Sequence, residues 1–273
     1  MHRKVFAGRL FERQVALIGG GCSDVGRALA VRLAQAGASL ALLDLDMAAL
    51  DSLVEHLADH HNCAALGLPC DLTDALAVEH AVTLVGERFG GIDLLACCAV
   101  VHHCGGICDT APEVFRRVME INFFGALHCV QAALPGLLAR RGQIVVAGAL
   151  PAFGPPQVSR GAEAASRQAL LGLFETLRLE VAADGVNVML VCPGRAGEPA
   201  CDDPSGAEAA GRLPSAQDIA EAIFQGVAPP PSADAAQLRL ARPAAGAARA
   251  VVGPDGTQGA VREESCRRRR DRV

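Results

Sequence analysis

The sequence contains neither tyrosine nor tryptophan among its 273 residues. Without tyrosine there is no phenolic hydroxyl to donate a proton, so chemistry that needs one is excluded. No apolar run reaches the roughly 20 residues of a membrane-spanning helix. Met1 to Lys4 lead into no signal-like apolar segment. These absences predict a cytoplasmic protein that has no membrane partner.

What the chain does contain is typical of an ordinary folded protein. Apolar residues make up 51% of the chain and the net charge is −5. This balance suits one α/β domain and gives no reason to expect nucleic acid as a partner. The cysteine count is eleven. An odd number of cysteines without a signal peptide predicts reduced thiols rather than a disulfide framework.

The strongest local pattern runs from Gln14 to Asp46. A short apolar run leads into the glycines 19–21 and then into a helical pattern that stops at Gly37, and a second apolar run ends at Asp44. This order predicts a dinucleotide-binding unit, because glycines let backbone N–H groups approach a diphosphate and the helix N-terminus supplies positive potential. An acid after the second strand binds ribose hydroxyls and repels a 2′-phosphate, so Asp44 predicts NAD rather than NADP.

This stretch resembles the glycine motif of the short-chain dehydrogenase/reductase family, Thr-Gly-x-x-x-Gly-x-Gly, and further matches follow in order over about residues 13–227. The resemblance implies an α/β, single-domain fold: a Rossmann-like, doubly wound parallel sheet of about seven strands with helices on both faces. It implies that Asp71 and the residue after it hold the adenine ring. The cofactor contacts it implies are Gly20, Ser23, Asp24, Val25, Gly26, Asp44, Asp71, Leu72, Pro193 and Gly194.

Asp24 stands where the family has its middle glycine. Two unit charges about 4 Å apart at an effective dielectric constant of about 20 repel each other by roughly 4 kcal/mol, so a carboxylate beside the diphosphate would weaken binding. The carboxylate could instead cap the helix and occupy the anion site itself. It could also turn into solvent and cost little.

The catalytic positions that the family fills with serine, tyrosine and lysine hold Ala149, Glu163 and Arg167 in this chain. A phenol beside an ammonium group can donate a proton near neutral pH, whereas a glutamate with an ordinary pKa near 4.3 is already ionised. An arginine four residues further along a helix favours the ionised form, and it stays charged itself. The pattern therefore predicts that hydride transfer by the family's route is lost.

Asn122 matches the helix asparagine of the family. In active relatives this residue kinks the helix and holds a water of the proton relay, so the resemblance implies a catalytic position. The other interpretation is that the asparagine is kept for the kink alone. The helix predicted over 123–140 is apolar on more than one face, and in the family it packs on a second subunit. A homo-oligomer, dimer or tetramer, or a pairing with a related subunit is therefore expected.

A group of cysteines and histidines follows the fourth predicted strand. These side chains could bind zinc, but no clean pair of Cys-x-x-Cys motifs is present, so buried or loop thiols are predicted and no metal. Val100 replaces a family glycine and is expected to crowd the nicotinamide ribose. The group comprises Cys97, Cys98, His102, His103, Cys104 and Cys108.

These residues together predict a pseudo-oxidoreductase that binds NAD or serves as a scaffold subunit. One alternative is an oxidoreductase that acts on a small carbonyl or alcohol substrate through altered residues. A second alternative is a non-redox lyase or cyclase, with Glu163 as the base of an enolisation, in a pocket shared with Arg167 and His102 or His103.

The predicted organisation is one domain followed by short C-terminal segments. The domain spans 1–228, and an alanine- and proline-rich linker spans 229–248. A last strand is expected within 249–256. The basic end, 257–273, is predicted to be a solvated tail, with an anionic surface contact or a localisation signal as the alternatives.

Overall fold

The computed structural model describes residues 10–148, 159–192, 215–228 and 249–251. Within these ranges the chain forms seven strands and seven α-helices, with one π-helical turn and one short 3₁₀ turn. The strands are β1 (Val15–Gly19), β2 (Ser39–Asp44), β3 (Ala65–Pro69), β4 (Leu94–Cys97), β5 (Gln143–Ala147), β6 (Asn187–Cys192) and β7 (Arg249–Val251). The helices are α1 (Asp24–Gln35), α2 (Met47–His61), α3 (Ala75–Phe89), α4 (Pro112–Met119), α5 (Gly125–Arg140), α6 (Gly161–Glu180) and α7 (Ala216–Val227).

The seven strands form one sheet in the order β3-β2-β1-β4-β5-β6-β7. Strands β1 to β6 are parallel, so the predicted fold class is confirmed. The sheet differs from the prediction at its edge, where β7 pairs antiparallel to β6. The chain winds outward from β1 to β3 and then returns to β4. The carboxyl ends of β1 and β4 therefore flank the switch point at which ligands bind in such sheets.

The two faces of the sheet carry separate apolar cores, because successive strand residues point to opposite sides. Leu17, Leu95 and Val146 lie in one core, and Ile18, Ala96 and Val145 lie in the other. Strands that are buried on both faces need continuous apolar runs, and the sequence supplies them. Helices lie on both faces of the sheet because both faces have to be covered.

Helix ends lie where side chains satisfy the exposed N–H groups. The Asp46 carboxylate caps α2 and the Asp74 carboxylate caps α3. Ser215 and Asp218 form a capping box at α7. Gly90 ends α3 in the left-handed conformation with φ at 81°. These local signals explain where the helices begin and end.

Helices α4 and α5 form one continuous helix over 112–140, joined by a π-helical turn at Glu120–Phe124. Its mean hydropathy of 1.4 and its length would suffice for a membrane span. The statement that no apolar run is long enough for a membrane span overlooked this helix. The helix packs against α3 and α6.

The predicted segment boundaries are described in part. Residues 249–251 pair with β6, which supports a last strand at the start of the predicted range. The predicted linker at 229–248 and the predicted tail at 257–273 lie outside the described residues.

Candidate functional site

The glycine loop between β1 and α1 is tightly folded. A Cβ on Gly20 would stand 2.5 Å from the backbone nitrogen of Ala99, and a Cβ on Gly26 would overlap the carbonyl oxygen of Gly20. Gly20 also has φ at 78°, which L side chains rarely adopt. Only glycine fits both positions, so the predicted motif has a steric cause in the fold.

Ser23 closes the loop and caps α1. Its Oγ accepts a hydrogen bond from the Gly26 N–H at 3.1 Å, and it lies 2.7 Å from the carbonyl oxygen of Gly20. Asp24 is therefore not the cap that one interpretation assigned to it. Its carboxylate is exposed at the first position of α1. Val25, the next residue, is half-buried. The helix N-terminus thus remains open to an anionic ligand.

Asp44 ends β2 beside this loop. Its Oδ2 accepts from the Cys22 N–H at 2.9 Å and its Oδ1 accepts from the Leu45 N–H at 2.8 Å. The carboxylate is therefore fixed against the glycine loop, where an acid that selects NAD is expected.

Asp71 and Leu72 follow β3. Asp71 Oδ1 accepts from the Thr73 N–H at 2.9 Å and from its hydroxyl at 2.8 Å, and these bonds lower the pKa of the Asp71 carboxyl. Leu72 is 8% exposed and packs in the core. The Asp71 side chain is thus held by hydrogen bonds within its own turn. Its expected contact with adenine stays a prediction.

The cysteine and histidine side chains that follow β4 point to different surroundings. Cys97 and Cys98 are buried in opposite cores, and burial raises the pKa of the Cys98 thiol to about 12. His103 Nε2 bonds Thr110 Oγ1 at 3.1 Å, whereas His102 turns to a different partner. Among the described residues no three side chains of the metal-binding types are grouped for an ion.

Two further predictions concern this loop. Cys104 is disulfide-bonded, so the prediction of reduced thiols is wrong at that position. Val100 Cγ2 would stand 3.0 Å from a Cβ on Gly148. The valine thus lies beside the end of β5.

Asn122 lies in the π-helical turn and is 1% exposed. Its Oδ1 accepts from the Val101 N–H at 2.7 Å, and its Nδ2 donates to the Val101 carbonyl at 3.1 Å and to Ser166 Oγ at 3.0 Å. The asparagine therefore clamps the loop after β4 to α6. Neither the relay nor the kink-only interpretation included this bridging position.

Glu163 lies at the centre of a buried charged cluster in the first turn of α6. Its side chain is 2% exposed, and Oε2 accepts from Arg160 Nη1 at 2.8 Å. Its Oε1 pairs with Arg167, as the spacing of four residues predicted, and also with His102 Nδ1 at 2.8 Å. Two arginines and one histidine thus surround a single carboxylate.

This environment decides the charge of the cluster. Burial alone would raise the pKa of the Glu163 carboxyl, but the His102 hydrogen bond, the Arg167 charge and the Arg160 hydrogen bond outweigh burial and lower that pKa. The carboxylate is therefore ionised at neutral pH, as predicted from the sequence. A carboxylate held in this way accepts hydrogen bonds and does not donate a proton.

The structure brings together Asn122, Glu163 and Arg167. Ala149, Pro193 and Gly194 lie outside the described residues. One alternative from the sequence placed His102 or His103 in a pocket with Glu163, and the structure shows that His102 makes the contact; the contact of Arg160 with Glu163 was not predicted. A signal existed for His102, because it follows a central strand at the carboxyl edge of the sheet, where ligand sites form.

Comparison with known proteins gives several matches. The model of the family described as short chain dehydrogenase matches residues 14–201. Dehydrogenase/reductase SDR family member 7B of Bos taurus is 33% identical over 192 residues, which make up 66% of this chain and 57% of that protein. The chain therefore spans little more than half of the bovine protein.

Two further proteins extend the comparison. Meso-2,3-butanediol dehydrogenase of Serratia marcescens is 30% identical over 183 residues, covering 67% of this chain and 71% of that enzyme. The crystal structure of NAD+-bound xylitol dehydrogenase superposes with a TM-score of 0.65 at 30% identity and covers 69% of this chain and 73% of that one.

Proposed function

The chain belongs to the short-chain dehydrogenase family, and from this premise we propose that it is an NAD-type pseudo-oxidoreductase. It binds a dinucleotide at the carboxyl edge of β1 and β4 and does not transfer hydride through the serine, tyrosine and lysine positions of the family. The observation that carries the proposal is the buried, ion-paired carboxylate of Glu163.

Support for dinucleotide binding comes from the glycine loop and from a relative. NAD+ is bound in the xylitol dehydrogenase structure. In this chain the loop keeps its two essential glycines, and the Asp24 side chain is exposed to solvent. The open N-terminus of α1 would hold the diphosphate and Asp44 would hold the adenosine ribose. In active members of the family the bound cofactor supplies or accepts a hydride, a step that this chain would not carry out by the family's route.

Support for the lost proton transfer comes from the cluster. A proton donor must lose its proton near neutral pH, and Glu163 has lost its own well below that range, since its pKa is lowered. The neighbouring Arg167 cannot be tuned as a lysine can, because a guanidinium stays charged. Positions 163 and 167 therefore hold the helix and the loop together instead of moving a proton.

The test combines binding with turnover. Titration calorimetry with NAD and NADP should show binding of NAD and weaker binding of NADP. Asp44→Ser should remove that preference. Meso-2,3-butanediol and xylitol, each with NAD+, should give no more NADH than the Glu163→Gln variant. Turnover well above that variant, or no NAD binding at millimolar concentration, would refute the proposal.

The same family membership supports an oligomer as a proposal. Helix α5 carries half-buried apolar side chains at Leu127, Ala132, Leu134 and Leu138. Further support is the family resemblance, which implies that this helix packs on a second subunit. Sedimentation equilibrium should show a dimer or tetramer, and a monomer at micromolar concentration would contradict it.

A further inference from the structure

We propose that His102 is the acid–base group of this cleft, positioned by Glu163, and that it exchanges the proton next to the carbonyl of a small ketone. The proposal rests on the proposed function, because it assumes the inherited cleft and a position 163 that donates no proton. It names a different group for the work that the sequence prediction assigned to Glu163.

Geometry fixes which ring nitrogen of His102 carries hydrogen. The Glu163 carboxylate is ionised and therefore only accepts, so His102 Nδ1 must donate in the 2.8 Å contact with Oε1. The neutral imidazole then carries its hydrogen on Nδ1 and its lone pair on Nε2. This is the tautomer that makes Nε2 a base, and the carboxylate stabilises the imidazolium that forms after proton uptake.

The position of the ring is set by two links between the loop after β4 and the start of α6. Asn122 holds both backbone groups of Val101, the residue before His102, and also bonds Ser166 on α6. The Gly105 N–H donates to the Ser159 carbonyl at 2.7 Å. The loop and the helix start are therefore held in register, so that the contact between His102 and Glu163 follows from the fold.

Exposure separates the roles of the two side chains. The His102 side chain is 42% exposed, whereas that of Glu163 is 2% exposed. The imidazole can reach a ligand and the carboxylate cannot. His102 lies four residues beyond Cys98, at the carboxyl edge of the sheet next to the switch point. Glu163 is thus a positioning residue and His102 is the group placed to touch a substrate.

The charged groups near His102 belong to α6 and to Arg160, the residue just before this helix. Glu163 contacts it directly, and Arg160 and Arg167 act on it through that carboxylate. On its own loop the neighbouring His103 is bonded to Thr110 instead. Thr110 donates its hydroxyl hydrogen to the Gly106 carbonyl, so His103 carries hydrogen on Nε2. The two adjacent histidines therefore hold opposite tautomers.

The chemical step is balanced without an oxidant or reductant. Nε2 of neutral His102 takes the proton from the carbon next to the carbonyl, the C–H bond breaks, and its electron pair forms the enolate. The imidazolium then returns a proton from Nε2 to that carbon, and the ketone is restored. In D₂O the returned hydrogen is deuterium, because the Nε2 proton exchanges with solvent between the two transfers.

The experiment follows deuterium incorporation into acetoin in D₂O by proton NMR, without any dinucleotide. The folded protein should catalyse this exchange at pH 7. His102→Gln should lower the rate about 100-fold or more. The matched variant His103→Gln should stay within about twofold, because its ring faces Thr110.

Two further readouts separate catalysis from structure. Nitrogen-15 NMR of the neutral His102 ring should show hydrogen on Nδ1, and Glu163→Gln should weaken that preference. Exchange no faster than with His102→Gln, an Nε2–H tautomer, or equal losses in the two histidine variants would overturn the proposal. Calorimetry of His102→Gln with NAD tests the proposed function separately, since this variant should still bind the dinucleotide.

Discussion

Replacing Glu163 by glutamine should destabilise the protein strongly. The amide keeps the size of the side chain but removes the charge that Arg160 and Arg167 share, and these side chains are only 8% and 5% exposed. Breaking a buried ion pair by removing one partner costs about 3–5 kcal/mol. At about 2–4 °C per kcal/mol for a domain of comparable size, the midpoint of thermal unfolding should fall by roughly 6–20 °C.

The effect should depend on pH in a stated direction. Because the pKa of Glu163 is lowered in the folded protein, its stabilisation is complete above the unfolded carboxyl pKa of about 4.3 and is lost as pH falls through the folded value. The difference in unfolding free energy between wild type and Glu163→Gln should therefore be present at neutral pH. It should shrink below about pH 4.

Urea unfolding followed by far-ultraviolet circular dichroism measures this difference, since the chain has no tryptophan for fluorescence. The matched control lies on the same helix. Glu175 pairs with Arg178 at 2.6 Å with the same spacing of three residues, but its side chain is 36% exposed. Glu175→Gln should cost less than about 1 kcal/mol. Equal losses in the two variants, or a Glu163→Gln loss below about 1 kcal/mol, would refute the assignment of a buried ionised cluster.

Three further variants test the glycine loop and the clamp made by Asn122. Gly26→Ala should destabilise the protein by about 1–3 kcal/mol and weaken NAD binding in calorimetry, because the added Cβ overlaps the Gly20 carbonyl. Its control is Gly86→Ala in α3, where the added Cβ meets open space. This control should stabilise the protein by up to about 1 kcal/mol in the same urea assay. Asn122→Leu should cost about 1–3 kcal/mol of stability for each Val101 backbone group that loses its partner, and it should slow acetoin exchange. Unchanged stability would count against the role of Asn122 as a clamp. Reversing the order of stability of the two glycine variants would contradict the close approach in the loop.

Local patterns in the sequence determined the nucleotide-binding half of this protein. The apolar runs of β1 and β2, the glycines between β1 and α1 and the acid at Asp44 lie within about 30 consecutive residues. Their structure follows from steric freedom, burial and capping, which depend on near neighbours. The pairing of Glu163 with Arg167 was equally readable, because residues four apart meet on one face of a helix.

Only the tertiary structure decided what surrounds Glu163 and which group faces the cleft. His102 lies 61 residues before Glu163 in the chain, and Val101 lies 21 residues before the asparagine that clamps it. Such contacts depend on how a loop after β4 is set against the start of α6, and residue spacing does not encode that placement. The antiparallel pairing of β7 was hidden for the same reason, since a strand's apolar pattern does not state the direction of its neighbour.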